Sequence, residues 1–185
     1  AKIIGAGKNR DATSDLDDVV RDLFNKERLP ALYFLFSRRD CESNAWYASR
    51  SRNLLTPEEK TQAMELFDSL ADQMNVRGDK TAENLREVMA KGYAFHHAGV
   101  LPALKDIVER LFEKVFIKVL FATETFALGV NMPARTVVFD TLTKKIKGRW
   151  TPVKTRDYFQ MAGRAGRRGK DEKGYVYVRI APNKW

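Results

Sequence analysis

The sequence predicts an α/β protein built on a doubly wound parallel sheet, with helices on both faces and a helical insertion. Short apolar runs recur along the chain, and amphipathic segments at helical spacing separate them. Strands that alternate with helices indicate a parallel sheet, because parallel neighbours need a long crossover connection. The 185 residues, 44% of them hydrophobic, suit one such domain.

The first elements are a helix and a buried strand. Residues 1–28 form a leading linker and helix, with Ser14 as a candidate cap and apolar residues from Leu16 to Phe24 at helical spacing. After Pro30, the apolar run 31–36 predicts a strand that is buried on both faces. A polar turn beginning at Ser37 then opens a helix to about residue 52.

Two consecutive helices follow, and together they form the predicted insertion at about 54–91. Thr56 is a good cap, and Pro57 suits the first helical position. This helix extends to about residue 74, and a second one covers about 81–91. Two helices between strands indicate an insertion on a sheet-based domain.

The remaining elements complete the alternation of strands and helices. We expect strands at 93–95, 117–122, 136–139 and 174–180, helices at 101–114 and 155–163, a loop with a short helix at 123–132, and an exposed basic loop at 143–154. The main domain then spans 29–181, with a tail at 182–185. Ligands of such sheets meet the carboxyl ends of the strands, so we expect the polar motifs there.

Composition excludes several classes of protein. The chain contains no run of about 18 uncharged apolar residues, and its start lacks the apolar core of a secretory signal, so no membrane is expected. The single cysteine, Cys41, excludes an internal disulfide framework and fits an intracellular compartment, cytoplasmic or nuclear. Because the chain opens on Ala1 rather than Met, we expect it to be excised from a longer protein.

The positive charge is concentrated in the last quarter of the chain. Residues 1–140 carry 20 Lys and Arg against 21 Asp and Glu, whereas residues 141–185 carry 13 against 3. A basic face is typical of a polyphosphate or nucleic-acid partner. A solvated basic surface that serves solubility explains the charge equally well.

The stretch Gln160-Met-Ala-Gly-Arg-Ala-Gly-Arg-Arg-Gly169 alternates glycines with arginines. Glycine lets the backbone turn closely, and arginine presents a planar fork of donors that matches phosphate oxygens. An arginine at the γ-phosphate stabilises the transition state of phosphoryl transfer. A generic basic helix end is the structural alternative.

A second stretch runs from Phe121 to Val138 and begins with Phe121-Ala-Thr-Glu-Thr-Phe-Ala-Leu-Gly-Val-Asn-Met. The hydroxyls and amides of residues 123–125 follow a strand and can bind backbone phosphates at a helix start. The alternative is a strand-turn-helix packed for structure, which we prefer for Ala122, Leu128, Val130 and Met132.

Two shorter elements also follow strands, namely Ser37-Arg38 and Phe95-His-His-Ala-Gly99. Zinc binding by His96 and His97 is not favoured, because adjacent residues of an extended segment point apart and no spaced cysteine or third histidine exists. Cys41 is better explained as a small buried residue than as a nucleophile.

Taken in chain order, these four elements resemble the second RecA-like (helicase C-terminal) domain of superfamily-two helicases, over about residues 29–181. Ser37-Arg38 is similar to motif IV, the stretch from Phe121 to Val138 to motif V, and the stretch from Gln160 to Gly169 to motif VI. Phe95-His-His-Ala-Gly99 is similar to the histidine-glycine element between motifs IV and V. The form of motifs V and VI resembles the Ski-like DExH-box RNA helicases of RNA processing and decay, including exosome-linked and actinobacterial relatives. The helical insertion is similar to the spacer of that group.

The resemblance implies a role for each matched residue. Arg164 and Arg167 would be arginine fingers that act on ATP, and Gln160 would couple the nucleotide to the nucleic-acid cleft. Gly129 and Asn131 would face the nucleotide sugar, although other members carry Asp at the position of Asn131. The nucleic-acid contacts would come from Ser37, Arg38, His97, Gly99, Thr123, Glu124 and Thr125, and no residue of this chain is expected to bind a metal.

The phosphate-binding half of an ATP site is missing from the sequence. Gly5-Ala-Gly-Lys8 lacks the spacing and the following hydroxyl of a phosphate-binding loop, and no Asp-Glu-x-His/Asp box occurs. The resemblance therefore implies ATP with Mg²⁺ held mainly by a first RecA-like domain that precedes Ala1 in the parent chain. We expect single-stranded RNA as partner, an RNA-degradation complex as a further candidate partner, and no ATPase activity from the chain alone. A DNA helicase of the same superfamily and a non-motor nucleic-acid-binding module are the alternatives.

Overall fold

The computed structural model describes residues 2–5, 12–129 and 132–180. In chain order the elements are β1 (Lys2–Gly5), α1 (Ala12–Asn25), β2 (Ala31–Phe34), α2 (Arg38–Ser51), α3 (Pro57–Gln73), α4 (Lys80–Met89), β3 (Tyr93–His96), α5 (Pro102–Glu113), β4 (Val119–Ala122), α6 (Glu124–Gly129), β5 (Thr136–Phe139), β6 (Thr143–Ile146), β7 (Arg149–Pro152), α7 (Thr155–Ala162) and β8 (Tyr175–Ile180).

Six strands form one parallel sheet in the order β1-β8-β5-β2-β4-β3. All residues of β2, β3, β4 and β5 are buried, as expected when helices cover both faces of a parallel sheet. Aromatic rings fill the centre, where those of Tyr33 and Phe121 lie 5.2 Å apart between centroids. The predicted fold class, a RecA-like doubly wound sheet, is confirmed.

Three neighbouring strands end at the same level of the sheet. Phe34, the last residue of β2, is paired with Ala122 of β4, and Ala122 is paired with His96 of β3. The loops that follow these strands therefore begin side by side at the carboxyl edge. Motif IV, motif V and the histidine-glycine element occupy those three loops.

The helical insertion packs into the common core. Its first helix, α3, begins with the predicted cap, in which the Thr56 hydroxyl accepts from the amide of Glu59 while the Glu59 carboxylate accepts from the amide of Thr56. Phe67 and Leu85 are buried in the same apolar cluster as the sheet. An ion pair of 2.7 Å joins Glu59 to Lys118, just before β4.

The predicted exposed basic loop at 143–154 is largely a pair of strands instead, although much of the segment is exposed as expected. Strands β6 and β7 pair antiparallel as a hairpin. Lys147 and Gly148 both have positive φ, at 47° and 82°, in the two-residue turn between the strands. A turn of this hand matches the twist of the flanking strands.

Two expectations for the first 28 residues also need correction. Residues 2–5 form the edge strand β1 beside β8, where only a linker and a helix were expected. Helix α1 begins at Ala12, so Ser14 lies inside the helix rather than before its first turn. Of Gly5-Ala-Gly-Lys8, only Gly5 falls among the described residues, as the end of β1.

Within the part of the chain that the structure describes, no helix combines the length and apolar character needed to cross a membrane.

Candidate functional site: two edges of one sheet

Ser37 and Arg38 begin the loop-to-helix junction after β2. Ser37 has extended backbone and caps α2, because its hydroxyl accepts from the amide of Asp40 at 3.3 Å. Arg38 is the first residue of that helix and is exposed. A Cβ added at Gly99 would lie 3.5 Å from Nη1 of Arg38, so the loops after β2 and β3 are in contact.

His97 is buried at this edge and holds the turn that carries Gly99. Its Nδ1 accepts from the amide of Gly99 at 3.1 Å, so the ring proton of the neutral imidazole lies on Nε2. Nε2 then donates to the Glu42 carboxylate at 2.9 Å. Burial lowers the pKa of His97, although Glu42 opposes this shift.

His96 points to the opposite face of the strand and meets different partners. Its Nε2 lies 3.0 Å from a carboxylate oxygen of Glu109, and its ring packs edge-on against Phe126. Nδ1 is buried without a hydrogen-bond partner among the described residues. Burial lowers the pKa of this imidazole as well.

Residues 123–125 lie at the same edge, between β4 and α6. The hydroxyls of Thr123 and Thr125 are 2.9 Å apart, and Thr125 is exposed. The amide of Thr123 donates to the carbonyl of His96, which fixes this turn to β3. Glu124 is turned toward the hairpin, where its carboxylate lies 2.6 Å from Nζ of Lys144.

Residues 163–169, the part of motif VI that follows α7, form the arginine loop, which lies at the other edge of the sheet. Ala165 forms a bridge with Ala134, the amide of Ala134 donates to the carbonyl of Arg164, and the amide of Gly166 donates to the carbonyl of Ala134. These contacts place the loop beside the amino end of β5. The expectation that all four motifs meet the carboxyl ends of strands is therefore wrong for motif VI, because α7 returns the chain to the amino edge.

The arginine loop needs two glycines for its shape. Gly166 has a φ of 91°, a backbone angle that residues with a side chain rarely adopt. A Cβ added at Gly174 would lie 2.5 Å from the backbone of Ala165. The loop and the start of β8 therefore approach each other more closely than any residue with a side chain allows.

Arg164 connects motif VI to motif V. Its Nη2 donates to the carbonyl of Ala127 in α6 at 2.5 Å, which satisfies one of the last carbonyls of that short helix. Gln160, one turn earlier on α7, lines a small cavity together with Glu124 and Ala127. Gly129 is the exposed last residue of α6, and Asn131 lies outside the described residues.

Arg167 lines a larger cavity of about 480 Å³ between α5 and the arginine loop. Arg168 and Lys170 also line it, as do the acidic side chains of Glu109 and Glu113. The guanidinium of Arg167 forms a two-point ion pair with Asp171. This pair raises the pKa of Arg167 and lowers that of Asp171, so both groups stay charged.

The predicted site residues therefore form two groups. One, at the carboxyl edge, comprises Ser37, Arg38, His97, Gly99, Thr123, Glu124 and Thr125; the other, centred on Arg164 and Arg167, lies toward the amino edge. Sequence reasoning missed Glu42, Lys144 and Asp171, which hold His97, Glu124 and Arg167. Only Asp171, two residues after the glycine-arginine stretch, carried a signal by its position.

No metal centre is evident in this part of the molecule. Within residues 2–5, 12–129 and 132–180, no group of three or more His, Cys, Asp and Glu side chains is arranged to hold a metal ion. Glu124 and Asp171 are engaged with cations of the protein itself.

The parallel sheet and the ordered motifs at its two edges define a RecA-like helicase domain. A family model described as the helicase conserved C-terminal domain matches residues 71–169, and the chain belongs to this family.

Several curated relatives are named as RNA helicases. The chain is 40% identical over 169 residues to the DExH-box ATP-dependent RNA helicase DExH10 of Arabidopsis thaliana, with 90% of this chain and 17% of the relative covered. It is 39% identical over 172 residues to the exosome RNA helicase MTR4 of Homo sapiens, with 90% and 16% covered. The chain thus spans about a sixth of the length of these relatives.

Proposed function

We propose that this chain is the C-terminal motor domain of an ATP-dependent RNA helicase of the Ski-like type. In this proposal it supplies Arg164 and Arg167 to ATP and phosphate contacts to single-stranded RNA. The observation that carries the proposal is the placement of the two described segments between β4 and β5. Residues 123–129 leave the carboxyl edge after β4, and residues 132–135 lie at the amino edge before β5, where Ala134 contacts the arginine loop.

The RNA contacts are assigned to the carboxyl edge. Arg38 offers an exposed cation there, and Thr123 and Thr125 offer hydroxyls, groups that contact phosphates without reading sequence. The amide of Gly99 and both ring nitrogens of His97 are engaged within the protein, so this element supports the surface beside Arg38. Ser37 also supports this surface, because it caps α2. Glu124 supports it through its ion pair with Lys144.

The ATP contacts are assigned to motif VI and the end of motif V. Arg167 lines the 480 Å³ cavity, and Asp171 holds Nε and Nη2 of its guanidinium. Arg164 is tied to α6, which ends at Gly129, so its position depends on that of motif V. Gln160 faces α6 through the small cavity. The proposal also includes Asn131 at the nucleotide sugar.

The rest of the ATP site belongs, in this proposal, to a first RecA-like domain of the same parent chain. That domain would hold the phosphates of ATP and the Mg²⁺, and the ion would supply positive charge at the phosphates. The exosome in the name of one relative suggests an RNA-degradation complex as a partner. We propose an intracellular site of action, cytoplasmic or nuclear.

The decisive experiment measures RNA-stimulated ATP hydrolysis by the full-length parent. Arg164→Ala and Arg167→Ala should each lower kcat by about 10³-fold or more, the range reported for arginines at a transferred phosphoryl group. Arg156→Ala, which removes an exposed charge on α7, is the matched control and should retain activity.

Other outcomes would point to the alternatives. Full activity of either Arg164→Ala or Arg167→Ala would contradict the assignment of that arginine. Stronger stimulation by DNA than by RNA of the same base sequence would favour a DNA helicase. RNA binding with no ATP hydrolysis in the intact parent would favour a non-motor module.

A further inference from the structure

The carboxylate of Asp171 accepts three hydrogen bonds from Arg167. Nε and Nη2 of Arg167 each donate to a different carboxylate oxygen of Asp171, both at 2.8 Å. The backbone amide of Arg167 donates to the same carboxylate at 2.9 Å. Such a two-point pair fixes the plane of the guanidinium as well as its position.

The carboxylate of Asp171 also lies next to motif V. Its side chain is only 2% exposed, and Nε of Arg135, just before β5, is 3.8 Å from one of its oxygens. That Nε is buried and has no hydrogen-bond partner among the described residues. Asp171 therefore sits between the end of motif V and the arginine loop, with a cation on each side.

The geometry leaves part of the Arg167 guanidinium available. A guanidinium has five N–H donors, and the pair with Asp171 uses one on Nε and one on Nη2. The remaining donors lie on Nη1 and on the outer side of Nη2. Arg167 lines the 480 Å³ cavity, whereas Asp171 does not.

Two explanations fit an acidic residue in this place. Asp171 could merely close the turn of residues 167–171, which also has a backbone bond from the amide of Asp171 to the carbonyl of Arg167. A carboxylate that only closes a turn needs the amide contact alone. The two further bonds fix the guanidinium itself, and Arg167 is a lining residue of the cavity.

We propose, on the basis of the role assigned above to Arg167 at ATP, that Asp171 is a positioning residue for that arginine. It holds the inner edge of the guanidinium so that the outer donors are aimed before ATP arrives. Donors that are aligned in advance need no reorganisation at the moment of reaction. Without Asp171, the long side chain of Arg167 would sample many rotamers.

The test is a double-mutant cycle in the full-length parent, with RNA-stimulated ATP hydrolysis as the readout. Asp171→Asn keeps the shape of the side chain but cannot accept at both points of the fork. It should lower kcat by about 10²-fold, the size of loss expected from a misplacement of about 1 Å. The KM for ATP should stay within about threefold of the wild-type value, since the pair acts on the chemical step.

The cycle separates positioning from a structural role. If Asp171 acts through Arg167, adding Asp171→Asn to Arg167→Ala should cause no further loss of kcat. A double variant that falls below Arg167→Ala by the full factor seen for Asp171→Asn alone would overturn the proposal. Wild-type kcat in Asp171→Asn would also overturn it.

A second variant covers the case in which Asp171→Asn folds poorly. Arg167→Lys keeps the charge but lacks the planar fork, so its kcat should fall to a similar degree. In the Arg167→Lys background, adding Asp171→Asn should leave kcat unchanged. Full kcat in Arg167→Lys would show that orientation is not required. Full kcat in Arg167→Ala would contradict the role proposed above for Arg167 at ATP and this inference with it, whereas the results above overturn the inference alone.

The helical insertion offers a matched control. Asp68 of α3 pairs with Arg86 of α4 through Nε and Nη2 in the same side-on geometry, with both distances at 2.7 Å. Neither residue touches the proposed site. Asp68→Asn should leave kcat and KM unchanged, and a loss comparable to that of Asp171→Asn would mean that any such pair matters only for folding.

Discussion

Nζ of Lys144, on the first strand of the hairpin, lies 2.6 Å from the carboxylate of Glu124 and 3.5 Å from that of Asp157. Glu124 begins α6, and Asp157 lies in the first turn of α7. The Lys144 side chain is only 14% exposed. One cation of the hairpin therefore holds together the helices that carry motif V and motif VI.

Removal of this cation should destabilise the chain. We expect Lys144→Ala to lower the free energy of unfolding by about 1–2 kcal/mol. This lies between the contribution of an exposed ion pair, ~0–1 kcal/mol, and the cost of breaking a buried one, ~3–5 kcal/mol. Urea unfolding of the 185-residue chain measures the change. Lys145→Ala removes the exposed neighbouring charge and should have little effect, so equal losses from both variants would contradict the bridging role.

Arg38 should contribute one phosphate contact to RNA binding. Each neutralised phosphate of a single strand steepens the log–log salt dependence of binding by about 0.7. Arg38→Ala should reduce the slope by about that amount, as measured by anisotropy of a labelled single-stranded RNA with the full-length parent. Arg39→Ala, at the next exposed position, is the control, and an unchanged slope in Arg38→Ala would exclude the contact.

The buried histidines should make the chain less stable in mild acid. Burial lowers the pKa of His96 and His97 below the ordinary value near 6.5, so the unfolded state binds more protons than the folded state as the pH falls through that value. The free energy of unfolding should therefore be largest above about pH 6.5 and decline below it.

Urea titrations between about pH 8 and pH 5 measure this decline. His97→Gln should flatten it, because the variant cannot be protonated at this position. Glu42 and Glu109 face the two rings, and Lys105 and Arg38 act on them from nearby, so the comparison must be made at constant salt. A decline of the same size in His97→Gln would assign the effect to other groups.

Gly174 should tolerate no side chain. Its Cβ would lie 2.5 Å from backbone atoms of Ala165, so the arginine loop or β8 must move. We expect Gly174→Ala to lower the free energy of unfolding by at least about 1–3 kcal/mol, the usual cost of overpacking. Gly129→Ala, where a Cβ meets nothing within 4 Å, is the steric control, and equal midpoints for the two variants would contradict the expectation.

The sequence predicted the sheet and its helices because their signals are local. The strands β2 and β4 are continuous apolar runs, and α3 begins with a cap that is visible as Thr56-Pro-Glu-Glu. The hairpin escaped prediction, because its turn is Lys147-Gly148 rather than one of the common asparagine or aspartate pairs. β1 escaped because only Ile3 and Ile4 mark it.

Pairings across the sheet could not be predicted from spacing. His97 follows a strand in sequence, like a residue that faces a ligand, yet it pairs with Glu42, 55 positions away. In the sequence, Lys144 is one of several charges in a basic segment, and nothing in the spacing indicates its two acidic partners. The location of motif VI depended on the direction of α7, which the position of β8 in the sheet determines.

The path of residues 123–135 constrains which changes of length the domain can accept. Residues 123–129 start at one edge of the sheet, and residues 132–135 lead into Thr136, which is in register with Ala31 of β2. An inserted or deleted residue there would shift the arginine loop relative to the loops after β2, β3 and β4. The turn at Lys147 and Gly148 joins two strands that lie outside the main sheet, so a change of length there shifts no strand of that sheet. Homologous chains should therefore vary in length at the hairpin and keep the number of residues in 123–135 constant.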